Sequence, residues 1–131
     1  NDSVSQTNFV KVYLFSIFYF FCHNLLLQPV ASPNVKCISV NPLNGDVTLT
    51  WTTPAGPGGF IEYQIFTSPN LAGPYTLVGT VTTFSQTSYT HVGAGANLIR
   101  KYYKVQSSYN PGTVLAPPVD TLSTIFLTAT N

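Results

Sequence analysis

Residues 46–66, Asp46-Val47-Thr48-Leu49-Thr50-Trp51-Thr52-Thr53-Pro54-Ala55-Gly56-Pro57-Gly58-Gly59-Phe60-Ile61-Glu62-Tyr63-Gln64-Ile65-Phe66, decide the fold. Val47, Leu49 and Trp51 alternate with Thr48, Thr50 and Thr52, so one face is apolar and the other carries hydroxyls. A period of two with β-branched residues outside and an aromatic inside is the pattern of a half-buried strand. The pattern recurs after a break, with Ile61, Tyr63 and Ile65 against Glu62, Gln64 and Phe66. The intervening Pro54–Gly59 segment cannot continue either strand, because Pro lacks a ladder donor and Gly weakens pairing. Two core strands joined by a Pro/Gly loop therefore anchor the chain, with its single Trp on the first.

The totals set bounds around that pair. A length of 131 residues fits one domain with extra pieces at its ends. Charged residues make up 7% and the net charge is +1, which excludes a basic stripe for nucleic acid and an acidic tail. The 44% apolar content supplies a core. Of the two cysteines, Cys22 lies in an apolar run near the amino end, leaving Cys37 alone in the remainder. One thiol makes no internal disulfide, so the domain is held by its core.

The apolar run begins after Lys11. Thirteen of the sixteen residues from Val12 to Leu27 are apolar, long for a signal-peptide core and short for a transmembrane span. Gln28-Pro29-Val30-Ala31-Ser32-Pro33 then breaks any helix and offers small residues to a signal peptidase. Residues 10–32 are expected to be an apolar leader helix acting as a secretory signal, cut after Ala31 or Ser32. An uncleaved membrane anchor and a buried strand or helix are the competing readings. Phe20-Phe21 are too bulky for a lipidation motif before Cys22. The chain contains no Met, which points to a fragment or a misplaced start. Val10 read as a GTG start codon would give a normal signal opening and make residues 1–9 a non-native or disordered leader. The expected location is secreted or cell-surface, touching a membrane only through an uncleaved leader.

From Pro33 onward short apolar runs alternate with turn chemistry. Strands are expected at Val35–Val40, Val47–Thr52, Phe60–Thr67, Tyr75–Val81, Ser88–Val92, Arg100–Ser107 and within Val119–Leu127. Asn44-Gly45 supplies a tight hairpin before the second strand. Asn110-Pro111-Gly112 and Pro117-Pro118 punctuate the carboxyl end. Seven short strands with no helical period indicate an all-β sandwich over residues 33–127. Trp51, Val47, Leu49, Tyr63, Ile65, Tyr103 and Val105 form the expected core. Cys37-Ile38-Ser39-Val40-Asn41 is echoed near the end by Phe126–Asn131, so residues 124–131 are a candidate start of a second repeat.

At Trp51, Tyr63-x-Ile65 and Tyr103-x-Val105-x-Ser107 the sequence resembles a fibronectin type III domain, an immunoglobulin-like sandwich. The resemblance implies that Trp51 sits in the core on the second strand. It also implies a tyrosine corner on the sixth strand, at Tyr103 or else Tyr102. An immunoglobulin domain would place its Trp on the third strand and carry a Cys pair across the sheets. More narrowly, the leader, Val35-Lys36-Cys37, Gly45–Trp51, His91–Asn97 and Asp120–Leu127 resemble the amino end of Bacteroidota surface proteins. These are the gliding motility-associated C-terminal domain proteins, exported by the type IX route with tandem fibronectin-like domains. Their defining C-terminal export domain is not in this sequence.

No constellation for catalysis is legible. Beyond the leader the ionisable candidates are His91, Asp46, Glu62 and Asp120, on separate turns and strand faces. One His and one Cys cannot build a zinc site, and no cofactor motif is present. Cys37 reads as a small buried apolar residue. Arg100, Lys101 and Lys104 cluster around Tyr102, either as a solvated strand edge that resists edge pairing or as a contact for acidic polysaccharide. Phe60, Phe66 and Phe84 are expected on an outer face or in loops, packing against a neighbouring domain or stacking on sugars. The expected function is a non-catalytic spacer or adhesion module of a larger surface protein. Its partners would be neighbouring domains of the same chain, surface glycans or other cell-surface proteins. The alternative is an accessory or carbohydrate-binding module of a secreted polysaccharide-degrading enzyme.

Overall fold

The computed structural model describes residues 30–109 and 114–125. The leader to residue 29, and residues 126–131 of the expected second repeat, lie outside them. Eight strands follow in order: β1 (Val35–Val40), β2 (Val47–Trp51), β3 (Phe60–Ser68), β4 (Thr76–Val81), β5 (Ser88–His91), β6 (Tyr102–Tyr109), β7 (Val114–Leu115) and β8 (Leu122–Ser123). They form two antiparallel sheets, one ordered β1-β2-β5 and one β4-β3-β6-β7, with β8 also paired to β6. The described residues contain no helix.

The period-two pattern sets which side chains turn inward. Val47, Leu49 and Trp51 on β2 meet Tyr63 and Ile65 on β3 and Tyr103 and Val105 on β6, all buried between the sheets. Burial of side chains of this size stabilises by roughly 1.5–3 kcal/mol each. The β1–β2 connection is wider than the tight Asn44-Gly45 hairpin expected: Asn41–Asp46 link the paired Val40 and Val47, Gly45 (φ 76°) is there the one residue with positive φ, and Asp46 O accepts from Asn41 N–H at 2.8 Å. A Cβ on Gly45 would run into Asn97, so close approach of the β5–β6 loop also requires glycine there.

Three features depart from the expected pattern. A register shift between Phe60 and Glu62 turns Phe60 toward the core and leaves Ile61, expected inside, 41% exposed. A second shift between Val35 and Cys37 leaves Cys37 exposed rather than buried. The expected last strand is two short pieces that pair with opposite ends of β6, Leu115 with Ser108 and Leu122 with Tyr103. Pro117-Pro118 lies between them and cannot continue the ladder.

The packed structure also starts before Pro33. Val30, Ser32 and Pro33 are buried. Ser32 Oγ donates to Ala116 O at 3.0 Å and accepts from Ser107 N–H at 3.1 Å, while Ser107 Oγ donates to Ala31 O at 2.9 Å. Thus Val30–Pro33 is fastened beside the carboxyl end of β6.

Two substitutions check these contacts by chemical denaturation. Ser32→Ala leaves the buried Ser107 N–H without its acceptor and is expected to lose about 1–3 kcal/mol. Gly79→Ala drives a methyl into the Tyr89 phenol, which is anchored to Val78 O at 2.7 Å, and is expected to lose about 1–3 kcal/mol.

Candidate functional site

Two places gather chemistry-bearing side chains. The first lies inside, where β5 meets the start of β6. His91 stands opposite Val47 at the end of β5, and its Nδ1 shares a 2.9 Å hydrogen bond with the Tyr103 hydroxyl. The rings meet edge to face at 5.9 Å. Burial holds the His91 imidazole below its ordinary value of 6.5, Lys101 adds to that, and Asp46 opposes both. Burial likewise pushes the Tyr103 phenol above 10.

A second aromatic group occupies the middle of the core. Trp51 and Tyr63 meet at 5.4 Å, Phe60 and Tyr63 at 4.6 Å, and Phe60 and Phe84 at 5.1 Å. Tyr63 donates its hydroxyl to Phe84 O at 2.8 Å and so ties the β4–β5 loop over the core.

The other gathering is on the outside of the larger sheet. Phe66 on β3 pairs with Lys104 on β6, and the ammonium lies 5.4 Å from the Phe66 centroid and 4.5 Å from that of Tyr75. Tyr102 projects on the same side of β6, two residues earlier. Arg100 and Lys101, expected inside the sixth strand, precede it. Lys101 N–H donates to Thr124 Oγ1 at 2.8 Å. The expected basic cluster is therefore divided between a loop and a strand face. Phe60 and Phe84 are drawn into the core, leaving Phe66 alone of the three on the outer face. No three His, Cys, Asp or Glu side chains come together as a metal site among the described residues.

Solved structures place this arrangement. An Fn3-like protein from Clostridium thermocellum is similar at a TM-score of 0.59 and 24% identity, covering 79% of this chain and 100% of its own. The fold is fibronectin type III-like. The FN1-FN3 domains of chicken CNTN1 are similar at a TM-score of 0.60 and 18% identity, over 75% of this chain and 32% of that one. Titin kinase with its flanking domains is similar at 0.53 and 24%, over 76% and 17%. The chain thus spans the first structure entirely and a third or less of the other two. No family model matches the chain, and no curated protein matches it.

Within this fibronectin type III-like domain, Trp51 lies in the core on β2, as the resemblance implies. The expected tyrosine corner takes another form. The Tyr103 hydroxyl shares its hydrogen bond with His91 Nδ1 rather than with a backbone carbonyl, because β5 ends with that imidazole facing it. Sequence reading named His91 as an ionisable candidate but not its pairing with Tyr103, because an alternating Ser-Tyr-Thr-His strand does not reveal which partner its last residue meets across the sheets.

The His91 site makes stability depend on pH. A folded value below the unfolded 6.5 means that the unfolded chain binds the proton more readily. The contribution is complete above about pH 6.5 and declines as pH falls through the folded value. Urea midpoints measured from pH 7.5 to 5 should fall on acidification, and His91→Gln should flatten that slope. An equal slope in both proteins would refute the assignment.

Proposed function

We propose that the domain is a non-catalytic spacer or adhesion module of a larger, exported surface protein. The observation that supports it is the placement of entry and exit. Ala31 and Ser32 are fastened to Ser107 near the end of β6, and Thr124 to Lys101 just before its start. Six residues of extended strand separate these anchors by about 20 Å. The chain thus enters at one end of the sandwich and leaves at the other, so that force or further domains act in series through it. The apolar leader and the likeness to gliding motility-associated surface proteins motivate the exported location.

A second reading, direct contact with an acidic glycan, draws on the outer face. Lys104 covers the Phe66 and Tyr75 rings, which disfavours stacking of neutral sugars but presents a cation.

Pulling on the two ends of the chain separates the readings. A spacer is expected to open in one cooperative step that releases on the order of 300 Å of chain. Gradual extension without a step would sink the spacer reading. Saturable binding to an acidic glycan, abolished by Lys104→Ala, would support the second.

A further inference from the structure

The connection between β1 and β2 holds the one Asn-Gly step of the chain, Asn44-Gly45. Such a step can react with itself, because a glycine without a Cβ lets its amide nitrogen reach the preceding carboxamide carbon. Folding restrains both reacting groups. Asn44 is exposed, whereas Gly45 is buried. The attacking nitrogen is engaged, since Gly45 N–H donates to Asn41 O at 2.8 Å. The carboxamide is held at both atoms: Asn44 Nδ2 donates to Asp46 Oδ2 at 2.8 Å, and Asn44 Oδ1 accepts from Asp46 N–H at 3.0 Å. Asp46 is fixed in turn by Gly93 N–H, which donates to its Oδ1 at 2.7 Å, and Gly45 O accepts from Ala96 N–H at 3.1 Å. Rearranging Asn44-Gly45 therefore means breaking bonds to the β5–β6 loop as well as those within the turn.

We propose that Asn44 is a self-modification site, closed in the folded domain and freed by opening, so that its deamidation records the time the domain spends open. In the open chain the Gly45 nitrogen bonds to Asn44 Cγ, the Cγ–Nδ2 bond breaks, and ammonia leaves carrying the Gly45 amide proton. A cyclic succinimide remains, and water opens it at either carbonyl. One opening gives an aspartate at position 44, the other an isoaspartate whose backbone runs through the former side chain. Modification of this kind acts on the unfolded state and competes with refolding. The mark persists because neither product restores the turn. A carboxylate at position 44 faces the Asp46 carboxylate where an N–H donor stood, and like charges that close repel. An isoaspartate also inserts a methylene into the backbone ahead of Gly45, where even an added Cβ would run into Asn97. Under the spacer reading, a domain held open by load gains the mark faster than one at rest, but the reaction itself does not depend on that reading.

Peptide mapping by mass spectrometry tests this on the full 131-residue chain, held at neutral pH in buffer or in guanidinium chloride. Deamidation is slow beside opening and closing, so its rate tracks the open population. Conversion of Asn44 is expected to be at least about tenfold faster in denaturant than in buffer. Equal rates in the two conditions, or an Asn44 that stays intact in denaturant, would overturn the proposal. Asp46→Ala frees Asn44 Nδ2 and Gly93 N–H. It should raise the rate in buffer severalfold and leave the rate in denaturant unchanged. An unaltered rate in buffer would refute the turn as the restraint. After refolding, marked chains should exchange the Gly93 and Ala96 amides about tenfold faster than the parent. The Phe60 amide, which donates to Pro57 O at 2.8 Å at the opposite end, should be unchanged. Parent-like exchange at Gly93 and Ala96 refutes a mark that outlasts refolding.

Discussion

Each tyrosine ring buried between the sheets brings a hydroxyl that must find a partner away from water, and these partners dictate how the layers meet. Tyr63 hands its proton to Phe84 O, Tyr89 to Val78 O, and the Tyr103 hydroxyl pairs with His91 Nδ1. Two of the three bonds run between opposite sheets: Tyr89 reaches from β5 to β4, and Tyr103 from β6 to β5. They convert a non-directional apolar core into one with a fixed alignment. Gly79 is part of the same solution, since only a residue without a Cβ leaves room for the Tyr89 phenol. The Trp51 indole N–H is the exception: it is buried, lies near the Tyr63 hydroxyl and meets no acceptor in hydrogen-bond geometry among the described residues. The loss of about 1–3 kcal/mol for an unpaired buried donor is offset by the large apolar area the ring removes from water.

Alternation made the core legible from the residues alone. Wherever a strand keeps a strict period of two, as in Val47–Trp51 or Tyr103–Ser107, the face each side chain takes follows directly. The pattern misleads where the ladder slips. One extra residue between Phe60 and Glu62 exchanges the roles of Phe60 and Ile61, and one between Val35 and Cys37 turns the thiol outward. A bulge leaves no mark in hydrophobic spacing, because it depends on how the partner strand accepts its hydrogen bonds. The outer-face candidates were read residue by residue, and only a strand register could show that Lys104 stands beside Phe66 while Arg100 and Lys101 remain in the preceding loop. The His91–Tyr103 pair was illegible for a related reason, since it joins residues on different sheets.

The surface chemistry follows from the same slips. Drawing Phe60 and Phe84 inward removes two rings from the outside and adds them to the core around Tyr63. What remains on the larger sheet is a cation held over Phe66 and Tyr75, a contact worth about 0.5–1 kcal/mol at an exposed site. Such a pairing keeps the ammonium near the sheet and shields apolar rings that would otherwise invite association.

The buried position of Ser32 bears on the expectation of a signal-peptidase cut beside it. A signal peptidase cutting after Ser32 would remove the hydroxyl that satisfies Ser107 N–H and the backbone carbonyl of Ala31 that accepts from Ser107 Oγ. It would also remove Val30, which is buried to 2% exposure. Two polar groups on the inward end of β6 would then need other partners or water, at the expense of the end where the chain enters. A cut on the amino-terminal side of Val30 would keep all three contacts. The small residues that make Ala31-Ser32 attractive as a processing site are the same ones whose size lets the chain pack against Ser107 and Ala116. Packing therefore accounts for Ala31-Ser32 without any cleavage at that bond.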